Sequence, residues 1–76
     1  MNLDPTSLIK LNTTQMPYGK FRGVHLIDLP EPYVLWTYEN QLPAGSLGEL
    51  FKELYEIKVN GLEGLVKKIG NGANFN

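Results

Sequence analysis

Met16-Pro-Tyr-Gly-Lys-Phe-Arg-Gly-Val-His-Leu-Ile-Asp-Leu-Pro-Glu-Pro-Tyr-Val-Leu-Trp36 holds three of the five prolines of this 76-residue chain, its only histidine and its only tryptophan. How this stretch folds decides the fold class. The residue before Pro17 is disfavoured in the α region, so Gln15 to Tyr18 reads as a short extended segment. Gly19 and Gly23 bracket Lys20, Phe21 and Arg22, and Val24 to Ile27 resumes an apolar run containing β-branched residues. Two short strands joined near Arg22 and Gly23 predict a β-hairpin. Such a hairpin is marginal alone and must lay one face on helices. Pro17 places its first strand at an edge or at its own beginning.

Downstream, Asp28-Leu-Pro-Glu-Pro32 reads as the start of a helix, with an acidic first turn that suits the helix dipole and proline where its missing N–H is harmless. Tyr33 to Tyr38 continue it, apolar almost all round, and Asn40 to Gly45 supply turn residues. Ser46 and Glu49 have the spacing of a capping box, followed by Leu47, Leu50, Phe51, Leu54 and Ile57 at helical intervals. Glu49, Lys52, Glu53 and Glu56 fall opposite, while Tyr55 and Val59 widen the apolar stripe. Asn60 and Gly61 provide a left-handed stop. A short helix from Leu62 to about Ile69 places Leu62, Leu65, Val66 and Ile69 on one side.

Upstream, Asp4 and Pro5 read as cap and first residue of a helix ending near Asn12 to Thr14, with Leu3 packing back on Leu8. Residues 70–76, two glycines and three asparagines among them, read as a frayed tail. The expected architecture is therefore α+β: one short β-hairpin packed with about four α-helices, a single small domain.

Composition narrows the function. An apolar fraction of 42% and a charged fraction of 20% belong to a folding chain. A core of this size leaves little net stability, and neither disulfides nor a histidine-rich metal site can supplement it, since there is no cysteine and one histidine. Self-association as a homodimer is the expected supplement. The broad stripe of the third helix, Leu47, Leu50, Phe51, Leu54 and Tyr55, together with Trp36 and Tyr38, is the expected interface, because aromatic anchors favour interfaces. The absence of cysteine, of an apolar leader and of any run of about 20 apolar residues points to a cytoplasmic chain with no membrane span.

No catalytic, cofactor or metal site emerges. His25 lacks a partner of fixed geometry, and a structural histidine is the better reading. Glu49, Glu53 and Glu56 share one helix, whereas a hard-cation cage draws on several elements. Gly19 and Gly23 lack the ending of a phosphate loop. The net charge of −1 provides no global footprint for nucleic acid. The one suggestive pattern is Tyr18, Lys20, Phe21 and Arg22, where rings interleave with cations as in single-strand binders. The plainer account has the rings packed inward and the cations wet at a hairpin tip.

Met16-Pro-Tyr-Gly-Lys-Phe-Arg-Gly23, Leu26-Ile-Asp-Leu-Pro30, Tyr33-Val-Leu-Trp36 and Leu54-Tyr-Glu-Ile-Lys-Val-Asn-Gly-Leu-Glu-Gly-Leu65 together resemble a family of short bacterial proteins named "putative quorum-sensing-regulated virulence factors". The first segment, with the following Leu-Pro and Tyr-x-x-Trp, also resembles a small module appended to some DNA exonucleases. The family resemblance implies a stand-alone protein with Met16, Gly19, Lys20, Gly23, Pro30, Tyr33 and Trp36 as defining positions, and it brings no catalytic residue. Two functions are expected from these readings: a non-enzymatic adaptor or regulatory protein working through protein contacts, or an accessory nucleic-acid-binding module using the basic and aromatic residues 18–22.

Overall fold

In a computed structural model, which describes residues 5–70, four helices surround one core. They are α1 (Pro5–Thr13), α2 (Glu31–Asn40), α3 (Gly45–Val59) and α4 (Glu63–Gly70), with a 3-10 turn at Leu26–Asp28 between α1 and α2. The expected cap and staple at Asp4 and Leu3 and most of the expected tail lie outside the described residues.

The α+β expectation fails at the hairpin. Among the described residues there is no strand, and the pairing is reduced to one antiparallel bridge between Gln15 and His25. The backbone shows why. Met16 donates to the Val24 carbonyl and accepts from the Gly23 N–H, each at 2.8 Å, so two residues oppose one across a bulge. Gly23 takes the left-handed φ of +90° that this bulge requires, and Gly19 turns the tip at +79°. Between them, Arg22 N–H bonds to Gly19 C=O and Val24 N–H to Phe21 C=O, so the segment is spent on consecutive turns. Pro17 has no N–H with which to continue a ladder.

The apolar run beyond it also declines to be a strand. Leu26, Ile27 and Leu29 are all buried, whereas a strand alternates its side chains between two faces. The tighter 3-10 winding lets all three reach the same core.

The core brings Leu8 and Leu11 of α1, Met16, Leu26, Ile27 and Leu29 together with Val34 of α2, Leu50, Phe51, Leu54 and Ile57 of α3 and Val66 of α4. Helix α3 is central and packs against α1, α2 and α4. That accounts for the width of its apolar stripe. Its start differs from the expected capping box: Ala44 is the N-cap residue and Ser46 lies inside the helix with no side-chain cap bond. Its end is as read. Gly61, at φ +66°, donates to Lys58 C=O while Leu62 N–H reaches Ile57 C=O, the paired bonds of a Schellman stop. On α4 the expected single apolar side is divided, with Val66 buried, Leu62 partly so, and Leu65 and Ile69 exposed.

Two polar contacts lock the helices and were invisible in the apolar pattern. Asn12 donates from Nδ2 to Leu8 C=O at 3.0 Å and to Val66 C=O at 3.1 Å, tying α1 to α4. Lys58, with only 6% of its surface exposed, donates from Nζ to Ile27 C=O at 2.9 Å and lies 3.8 Å from the Glu63 carboxylate. It fastens the 3-10 turn to α3. Burial lowers its pKa from the ordinary 10.5, against the opposing pull of Glu63, Asp28 and Glu31.

Candidate functional site

The excursion from Pro17 to Gly23 carries the chemistry. Its base is held by the bulge at Met16, whose side chain is buried. From that base the glycine turns direct Tyr18, Lys20 and Arg22 to solvent, with Tyr18 51% exposed. Phe21 alone turns inward. Its ring meets Tyr33 of α2 edge-on, with centroids 4.7 Å apart and planes at 61°. Such a pair contributes about 0.5–1.5 kcal/mol beyond its burial. Lys20 Nζ stands 5.2 Å from the Phe21 ring centroid, in cation–π range.

One helical turn beyond Tyr33 stands Trp36, and residues three apart on a helix share a face. Trp36 is 51% exposed. The loop and α2 thus form a ridge that begins with Lys20, passes through Phe21 and Tyr33, and ends in a large aromatic side chain half in water. Rings of this kind offer large area at low entropic cost to a partner.

The other expected site residues lie elsewhere. Leu50, Phe51 and Leu54, expected at a dimer interface, are in the core of the single chain, and Leu47 packs partly buried against it. Tyr38 and Tyr55 stack on one another across α2 and α3, centroids 4.0 Å apart and planes at 14°. Of the seven expected interface residues, Trp36 alone is exposed. His25 is partly buried with its backbone in the bridge to Gln15. Glu49 pairs with Lys52 at 3.1 Å on the surface of α3. Among the described residues no three His, Cys, Asp or Glu side chains group as a metal site, and no helix is long and apolar enough to cross a membrane.

Comparison with known proteins covers nearly the whole chain. Residues 4–69 match the family described as "Putative quorum-sensing-regulated virulence factor". Curated relatives include the "Uncharacterized protein YpeB" of Escherichia coli K12, 44% identical over 68 residues, an alignment covering 88% of this chain and 94% of the relative. The protein of the same name from Escherichia coli O157:H7 matches to the same extent. No solved structure matches the chain. With nearly its whole length matched, the chain belongs to the "Putative quorum-sensing-regulated virulence factor" family.

Proposed function

We propose that this chain is a non-enzymatic adaptor or regulatory protein that works through protein contacts, with the ridge of Phe21, Tyr33 and Trp36 as its docking face. The carrying observation is Trp36. A tryptophan half in water, one turn from an edge-on aromatic pair, supplies the apolar anchor around which a contact forms. Loop 17–23 fixes one end of that face by backbone bonds, so binding there orders little that is not already ordered.

The simplest partner is a second copy, paired symmetrically through Trp36. A small chain without disulfides gains stability from such pairing. Light scattering across the micromolar range tests it: the expected mass is that of two chains, falling to one in Trp36→Ala. A one-chain mass for the wild type removes the homodimer. Loss of a specific partner on Trp36→Ala, with Glu56→Ala as an exposed control, then tests the ridge toward other proteins.

A second reading has one observation in its favour. Lys20 and Arg22 stand exposed beside a half-exposed Tyr18, a cation and ring arrangement suited to a nucleic-acid strand. Phe21 is turned to Tyr33, so Tyr18 is the ring best placed to stack on a base. Anisotropy titrations with single- and double-stranded DNA and RNA at low salt test this reading. No binding, or binding unchanged in the double variant Lys20→Ala/Arg22→Ala, removes it.

A further inference from the structure

The segment that joins the two halves of the ridge contains a carbonyl that its own backbone cannot satisfy. Loop 17–23 ends at Gly23 and α2 begins at Glu31, so the 3-10 turn at Leu26–Asp28 between them sets how loop and helix meet. That turn is closed by Asp28 N–H on His25 C=O at 2.9 Å and by Leu29 N–H on Leu26 C=O at 3.1 Å. The next bond of the series would run from residue 30 to Ile27 C=O. Pro30 has no N–H, and it holds Leu29 extended, at ψ 142°, so the winding stops there. Ile27 is buried, and a buried carbonyl without a donor is costly. Lys58 of α3 supplies the donor, with Nζ 2.9 Å from the Ile27 oxygen.

We propose that Lys58 is a positioning residue for the docking ridge: its ammonium stands in for the N–H that Pro30 lacks and so fixes the direction in which α2 leaves the turn. Tyr33 and Trp36 lie three and six residues beyond Pro30 on the same helix, so a change of direction there is carried to the Phe21–Tyr33 contact and to Trp36. The loop does not follow such a change, because its base is held separately. Met16 N–H bonds to Val24 C=O at 2.8 Å, and Leu26 N–H to Thr14 C=O, just past α1, at 2.9 Å. Lys58 itself is buried and offers a partner nothing to touch, so it acts on the ridge through Ile27. The consequence for binding rests on the ridge as the docking face; the geometry does not.

The test is NMR of the full chain as wild type, Lys58→Met, Glu63→Gln and Asn12→Ala. Lys58→Met keeps the apolar volume and removes the donor. It is expected to move the ring resonances of Phe21 and Tyr33 and the indole of Trp36, to weaken the Phe21–Tyr33 cross-peaks, and to speed amide exchange at Asp28 and Leu29 at least about tenfold more than in α3. Glu63→Gln leaves the bond to Ile27 in place, and Asn12→Ala breaks the bonds to Leu8 and Val66 instead; both are expected to leave the ring signals where they are. Ring signals unmoved in Lys58→Met would overturn the proposal. So would equal movement in Asn12→Ala, which is general loosening, or in Glu63→Gln, which assigns the effect to the ion pair. Light scattering separates this proposal from the docking reading: a wild-type dimer is expected to weaken about tenfold in Lys58→Met, and a dimer equally tight in that variant overturns the positioning role. A one-chain mass for the wild type counts against the homodimer alone, and the ring signals then decide the role of Lys58.

Discussion

Lys58 gives the sharpest test of how this fold is held. Its side chain runs through the packed interior and ends on the Ile27 carbonyl, so Lys58→Ala and Lys58→Met separate two contributions. Truncation to alanine removes three methylenes, worth about 0.8 kcal/mol each when buried, and the charged hydrogen bond to Ile27, worth about 2 kcal/mol. Removing the ammonium also relieves the desolvation that lowers the lysine pKa, so the expected loss is about 3 kcal/mol. Methionine keeps the apolar volume and loses the hydrogen bond, but also relieves the desolvation that lowers the lysine pKa. Its expected cost is about 1 kcal/mol at neutral pH. With a urea slope near 1 kcal/mol per molar for a chain of this size, the midpoints should fall by about 3 M and 1 M, read by circular dichroism.

The pH dependence follows from the direction of the shift. The folded state holds the Lys58 proton less tightly than the unfolded state, where the ordinary value of 10.5 applies. Between the two pKa values the unfolded chain binds more protons, so this group's contribution to stability rises with pH. It is complete above 10.5 and lost as pH falls through the lowered folded-state value. Glu63, Asp28, Glu31 and Lys67 face the same site and remain in Lys58→Met, so the difference between wild type and variant isolates the lysine. Wild type should gain on the variant as pH rises toward 10.5. Equal losses in the two variants, or a gap that does not change with pH, would refute the reasoning.

Three further outcomes test the packing. A Cβ on Gly48 would collide with the Pro43 carbonyl oxygen, so Gly48→Ala should cost about 2–3 kcal/mol and lower the melting temperature by roughly 10–20 °C. The Thr37 hydroxyl is buried without a partner; Thr37→Val should stabilise the chain by about 1 kcal/mol in urea titrations. Asn12→Ala deletes both bonds between its amide and the carbonyls of Leu8 and Val66, and should cost about 2 kcal/mol, with faster amide hydrogen exchange in α4 before the rest.

Helical periodicity made α3 and α4 legible within a residue or two, and Pro5 with the polar run from Asn12 to Thr14 marked the ends of α1. Proline at the start of α2 and Gly61 after α3 marked their ends for the same kind of local reason. The segment from Gln15 to Leu29 was misread because its signals are ambiguous in kind. Glycines spaced by four residues suit a hairpin tip and equally a pair of turns closing on a bulge. Leu26, Ile27 and Leu29 make an apolar cluster whose period cannot be told from so few residues. What decides it is tertiary: the core accepts all three from one side.

The same limit governs the surface. A wide apolar stripe on α3 reads as a stripe with something left over for a partner, and in sequence nothing distinguishes one neighbouring helix from three. Once α1, α2 and α4 cover it, Leu50, Phe51 and Leu54 belong to the interior, and the surplus moves to α2, where Trp36 stands in water. Trp36 was conspicuous in sequence as the only tryptophan, but its neighbours were not, since Phe21 and Tyr33 are twelve residues apart and meet because the glycine turns bring the loop back onto the helix. The ridge is thus a property of the turn geometry. Its integrity depends on Gly19 and Gly23, whose left-handed φ values an L side chain adopts only with strain.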